Sequence, residues 1–179
     1  TKRTFLLILI TSLFVLSAAN VTALSDTANH DVTMTINEIA LIDLDNTSTI
    51  TLTTNPPSSG GEQPVGDSDA TKLLQYTSLV ASGSTRNITV NWGATDAAPA
   101  GTSLTLEATS VPGGCGTAAA AVPLSNGATP LITGIPSCAT GTGSNGAELT
   151  YTFNIDTVGS LVVGESKTVT ITFTLTDAS

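Results

Sequence analysis

The side chains that could carry chemistry in this 179-residue chain are few and stand far apart in the sequence. His30 is the only histidine, and no Gly-x-Ser-x-Gly motif marks a serine that it could activate. It lies in a polar stretch near the start of the predicted mature chain, where segments are usually solvated. The sequence therefore indicates no pair of residues that could act as a nucleophile and its general base. We therefore predict that the protein is not an enzyme, and that it has no catalytic residue and no cofactor.

The most closely spaced carboxylates form two Asp-x-Asp pairs, Asp43/Asp45 and Asp67/Asp69. Glycoside hydrolysis needs two carboxylates across a cleft, whereas a strand places residues i and i+2 on one face. In a loop, Asp-x-Asp either binds Ca²⁺ or turns the chain. The second pair, within Gly66-Asp-Ser-Asp69, is the better calcium candidate, but it lacks the other ligands of an EF-hand loop. We predict a solvated turn there and no metal site.

Cys115 and Cys138 are the only cysteines, and they bracket a stretch rich in glycine, alanine, proline and serine. Neither belongs to a CxxC motif or a Cys/His cluster, which argues against redox or zinc chemistry. Disulfides persist in exported proteins, and closing this loop would stabilise the fold by roughly 3 kcal/mol. The sequence therefore predicts a structural disulfide between the two.

Aromatic residues offer one possible ligand site. Trp92 and Tyr76 could form a platform on which sugar rings stack, but Trp92 shares a strand face with Ile88 and Val90, which favours packing in the core. N-glycosylation sequons begin at Asn20, Asn46 and Asn87.

The first 23 residues predict a secretory signal peptide. Lys2 and Arg3 precede an apolar run, Phe5–Leu16, and small residues follow up to a predicted cut after Ala23. Two alternatives stay open: an uncleaved anchor, because Phe5–Leu24 has the length of one membrane span, and a retained assembly helix of the type IV pilin kind. Cleavage predicts a secreted, extracellular or cell-surface protein with no membrane segment.

The net charge of the predicted mature chain limits the classes of partner that it can bind. After cleavage only Lys72, Arg86 and Lys167 remain against all 14 acidic residues. Such an anionic surface repels nucleic-acid phosphates and gains nothing from anionic lipid. We predict neither nucleic acid nor membrane as a partner of the mature protein.

Hydrophobic periodicity predicts an all-β fold. Threonines alternate with apolar residues in Leu149–Ile155 and Val169–Leu175, at the two-residue period of a strand. Leu73–Val80 and Arg86–Trp92, separated by a Ser-Gly-Ser turn, predict a hairpin. Regular strand spacing without helices predicts an antiparallel two-sheet sandwich, immunoglobulin-like or jelly-roll.

Weaker patterns complete this outline. Short strands are expected at Ile50–Leu52 and Leu104–Leu106, and prolines and glycines predict a long loop over residues 55–70.

Both ends of the mature chain carry features of fibre subunits. The segment Gly164–Ser179, a glycine followed by an alternating strand, resembles the C-terminal strand of chaperone–usher pilins, and Val32–Ile36 onward resembles their donor strand. The cysteines differ, since those pilins usually bridge early strands. The resemblance implies a sandwich completed by a strand from another copy, and subunits of other fibres that donate an N-terminal strand fit as well.

The expected organisation is a signal peptide (1–23), an extension with a donor-like strand (24–45) and a sandwich domain (46–179). The apolar face of the donor strand consists of Val32, Met34, Ile36, Ala40, Ile42 and Leu44. The predicted function is a structural or adhesive subunit of an extracellular filament, fimbrial pilus or surface layer, with other copies of itself as partners. The alternative is a secreted or surface-attached binding module, with carbohydrate as its candidate ligand. A filament subunit would keep this extension outside its own sandwich, whereas a binding module would include it in its own sheet.

Overall fold

The computed structural model describes residues 26–178, so the predicted signal peptide lies outside the described residues. Residues 26–38 form no regular secondary structure, and all of them are exposed. The rest of the described chain is all-β, apart from one 3-10 turn at Val158–Ser160. Its strands are β1 (Ile39–Leu44), β2 (Asp67–Leu79), β3 (Arg86–Trp92), β4 (Thr102–Thr109), β5 (Thr117–Ala118), β6 (Val122–Pro123), β7 (Thr129–Ile135), β8 (Cys138–Ala139), β9 (Ala147–Ile155) and β10 (Ile171–Asp177).

The strands form two antiparallel sheets. The first sheet has the order β1-β2-β9-β4-β6, with β8 also paired to β2, and the second has the order β10-β3-β7-β5. Fully buried residues come from both sheets, among them Leu74 and Leu149 in the first and Ile88 and Ile132 in the second, and they belong to one core cluster. Burying each such side chain contributes roughly 1.5–3 kcal/mol. The sheets therefore pack face to face, as the sequence predicts.

Two consecutive strands correct the predicted hairpin. β2 pairs with β1, β8 and β9, whereas β3 pairs with β10 and β7, so the two strands lie in different sheets. The turn at Gly83, with a φ of 84°, reverses the chain as expected. It carries the chain from one sheet to the other because both sides of β2 are already occupied within the first sheet. A turn signal predicts a reversal but not which strand becomes the hydrogen-bonded neighbour.

Other strand boundaries also shift. The predicted strand at Ile50–Leu52 does not form, and the predicted loop over 55–70 is shorter because β2 already begins at Asp67. A register irregularity between Asp69 and Lys72 interrupts the pairing of β2 with β9. The strands predicted around Leu104–Leu106 and Leu149–Ile155 are confirmed as β4 and β9.

The two lateral sides of the sandwich differ. On one, called here the open side, β1 and β10 are the last strands of their sheets and lie against each other. On the other, the closed side, the sheets end in β6 and β5, which have two residues each.

Candidate functional site

The structure divides the predicted donor strand into two parts. Its first part lies outside any strand, and Val32, Met34 and Ile36 are 67%, 87% and 85% exposed. Alternate apolar side chains are thus presented to solvent in a segment without strand partners among residues 26–178.

The second part is β1, which belongs to the chain's own sheet. Ala40, Ile42 and Leu44 lie opposite Ser78, Tyr76 and Leu74 of β2 in an antiparallel register. Ile42 and Leu44 are half-buried against the core, whereas Ala40 is exposed. The segment Val32–Leu44 is therefore not one continuous strand, and the sandwich begins at β1 rather than at residue 46.

The open side carries partly covered apolar residues. Ile171, Phe173 and Leu175 of β10 pack against the core but are only half-buried, and exposed threonines alternate with them. Within the described chain β10 pairs only with β3, and β1 only with β2, so each has one edge without a strand neighbour. Unpaired edges of this kind can accept a further strand.

The buried side chain of Arg86 connects several strands at one end of the open side. The Arg86 side chain, on a residue only 5% exposed, donates from Nε to Asp177 Oδ1 at 2.9 Å and from Nη1 to the Leu79 carbonyl at 3.1 Å. Nη1 also donates to the Ile39 carbonyl, and Nη2 lies 3.5 Å from Glu38 Oε2. One guanidinium therefore links β3 to the start of β1 and to the ends of β2 and β10. Its fixed fork of donors suits such a convergence.

The predicted disulfide is present. Cys115 precedes β5 of the second sheet and Cys138 begins β8 of the first, with their Cα atoms 5.6 Å apart. Tyr76 Oη donates to the Cys115 carbonyl at 2.6 Å, and burial raises the pKa of Tyr76 to about 12. The bond therefore ties the two sheets together, with a tyrosine of the first sheet packed against it.

Several candidate site residues are not brought together. Trp92 and Tyr76 are both buried in the core, so they form no exposed platform for a sugar. His30 is exposed in the segment before β1, which has no regular secondary structure. Asp67 and Asp69 accept hydrogen bonds from the Thr53 and Thr71 amides at 3.4 and 2.9 Å.

The described residues lack the features of a metal site and of a membrane-spanning helix. Within residues 26–178 no group of three or more histidine, cysteine or acidic side chains is arranged to hold a metal ion. Over this stretch, no helix combines the length and apolar character that a membrane span requires.

Two residues that sequence reasoning did not single out are Lys72 and Arg86, both buried. Each occupies an inward-facing position of its strand, two residues before Leu74 and Ile88 respectively. The alternation of inward and outward positions along each strand is visible in the sequence, and it could have identified both residues as inward-facing cations.

Comparison of the chain with protein-family models, with characterised proteins and with solved structures finds no match.

Proposed function

We propose that this protein is exported and builds an extracellular filament or surface layer, in which each copy adds its segment Val32–Ile36 as a strand to the next copy. The observation that carries the proposal is the exposure of Val32, Met34 and Ile36 in a segment that forms no regular secondary structure. Solvent-exposed alternating apolar residues favour association with a partner sheet. The disulfide between Cys115 and Cys138 and the predicted signal peptide support export.

The free edge of β10 is the acceptor that fits best. Its half-buried residues Ile171, Phe173 and Leu175 span five positions, the same number as Val32, Met34 and Ile36. At the rise of a strand, both sets extend over roughly 13 Å. An added strand would place its apolar face beside that of β10, and each side chain so buried would contribute roughly 1.5–3 kcal/mol. Because β1 already lies against β10, we propose addition to an edge rather than insertion between the sheets.

The substitution Ile36→Asp tests the proposal. We expect a soluble monomer with an unchanged melting temperature, since Ile36 is 85% exposed, and no filaments, since burying a carboxylate at the junction costs several kcal/mol. Thr35→Asp is the matched control, because it adds the same charge to the neighbouring exposed position. It should keep both melting temperature and filaments. Thermal melting and negative-stain microscopy measure the two properties separately.

A secreted binding module is the second candidate, and the pairing of β1 within its own sheet favours it. In that case the segment before β1 would stabilise its own domain, and Ile36→Asp would lower the melting temperature of the monomer. Filaments that form equally well with Ile36→Asp would contradict strand addition through this segment.

A further inference from the structure

The amine of Lys72 is buried without a carboxylate in contact. The residue is 4% exposed, on the inward face of β2 beside Leu149 of β9. Its Nζ donates to Asn46 Oδ1 and, at 2.7 Å, to Ser48 Oγ. The other two cationic side chains of the described residues each pair with a carboxylate within 4 Å, and Lys72 does not. A buried ammonium held only by neutral acceptors is costly.

The Asn46 carboxamide is surrounded by groups that suit attack on its carbon. Its Oδ1 accepts hydrogen bonds from Ser48 Oγ at 2.7 Å and from the Ser48 amide at 3.3 Å, in addition to the Lys72 amine. Donors arranged in this way stabilise the negative charge that develops on a carbonyl oxygen under nucleophilic attack. The Asn46 Nδ2 donates to Asp45 Oδ2 at 3.0 Å, so a carboxylate lies at the nitrogen that would depart.

We propose that Lys72 and Asn46 form an intramolecular amide cross-link. The Lys72 nitrogen, after losing a proton, attacks Asn46 Cγ; the Nζ–Cγ bond forms, the Cγ–Nδ2 bond breaks, and the side-chain ammonium and carboxamide become an amide and an ammonium ion. No oxidant or reductant is required. Two protons pass from the lysine nitrogen to the departing nitrogen, which balances the reaction.

Asp45 contacts the nitrogen that would depart, through its Oδ2. The Leu73 amide donates to Asp45 Oδ1 at 2.8 Å and lowers the pKa of this carboxyl, and the charge of Lys72 lowers it further. Asp45 is therefore ionised at neutral pH and can take up a proton that the lysine has released to solvent, then give it to the Asn46 nitrogen as that nitrogen leaves. The reaction also removes the buried positive charge of Lys72. Hydrogen bonds to neutral oxygens leave that charge in place, so its loss favours the cross-linked form.

Peptide mapping of the reduced, denatured full chain tests the cross-link directly and does not depend on filament formation. After cleavage at Glu62 by a glutamate-specific protease, we expect one branched species that joins the peptides around Asn46 and Lys72, with a summed mass lower by about 17 Da for the lost ammonia. Trypsin should not cleave after Lys72. Lys72→Met and Asn46→Ala should restore the linear peptides, and Ser48→Ala, which removes one donor to the oxygen, should leave a detectable linear fraction.

Asn87→Ala is the matched control, since Asn87 also begins a sequon but its Oδ1 accepts from the Gly134 amide and not from an amine. This variant should keep the branched species. Linear peptides with unmodified Asn46 and Lys72 in the unsubstituted protein would overturn the proposal. So would a glycan on Asn46, because it would occupy the nitrogen that has to leave. Both outcomes are read from the unsubstituted protein, so a variant that fails to fold does not affect the test.

Discussion

The closed and open sides of this sandwich end their sheets in opposite ways. On the closed side the terminal strands β5 and β6 are two residues long, and Cys115, which precedes β5, is bonded to Cys138 of β8 in the first sheet. On the open side the terminal strands β1 and β10 have six and seven residues, and their inward-facing apolar residues are only half-buried.

Short edge strands are a common protection against unwanted pairing, whereas long apolar edges invite it. The molecule therefore protects one side and leaves the other able to accept a strand. If the proposed strand addition occurs at the open side, substitutions that affect stability and substitutions that affect assembly should have separable effects.

The largest effect is expected at the disulfide. Replacing both Cys115 and Cys138 by serine should lower the free energy of unfolding by roughly 2–5 kcal/mol, because the unfolded chain regains the freedom of the closed loop. Urea denaturation measures this change. Filament formation by the folded fraction should persist, since the bond does not contribute to the edge of β10. An unchanged free energy of unfolding would contradict the structural role of the bond, and loss of filaments from fully folded protein would contradict the separation of the two sides.

An intermediate effect is expected at Arg86. Arg86→Met keeps the buried aliphatic stem but removes the bonds to Leu79, Ile39 and Asp177, and we expect a loss of about 2 kcal/mol. Lys167→Met is the control, because Lys167 is exposed and its pair with Glu165, at 3.6 Å, is worth at most about 1 kcal/mol. Equal losses for the two variants in urea denaturation would show that the buried contacts contribute nothing beyond surface charge.

The smallest effect concerns Tyr76 and depends on pH. The pKa of Tyr76 is raised by burial from 10.0 to about 12, so the stability that its neutral form contributes is complete below pH 10 and is lost as the pH rises through 12. Tyr76→Phe should cost about 1 kcal/mol at neutral pH, since the Cys115 carbonyl loses its donor.

The same variant should also flatten the alkaline loss of stability. The alkaline loss of stability that remains in Tyr76→Phe is expected to come from Tyr151, whose pKa is raised by burial and by the charge of Asp69. Unfolding free energies measured between pH 8 and 12 for both proteins test this. Identical slopes would contradict the role of Tyr76.

The sequence predicts the features that depend on local pattern. Strict alternation identifies β9 and most of β10, and a chain with only two cysteines predicts its disulfide. Pairing partners are harder to predict because they depend on contacts between distant segments. The turn at Gly83 looks like a hairpin in the sequence, and polar residues 67–71 hide the first third of β2.

The candidate sites show the same limit. The exposed face at Val32, Met34 and Ile36 is visible in the sequence as an alternating apolar run. The contact of Lys72 with Asn46 joins residues 26 positions apart, and no local pattern in the sequence predicts it. Only the inward phase of Lys72, two residues before Leu74, marks it as unusual.

The position of Arg86 has a mechanical consequence for a filament under tension. A pull on the segment before β1 enters the domain at Glu38 and Ile39, where the guanidinium makes two of its contacts. Inter-strand hydrogen bonds run perpendicular to the strands, so a load along β1 shears the whole β1–β2 ladder at once instead of opening it one bond at a time. At the start of β1, the contacts of Arg86 distribute the force from β1 to β2, β3 and β10. Arg86 therefore connects the loaded strand mechanically to both sheets.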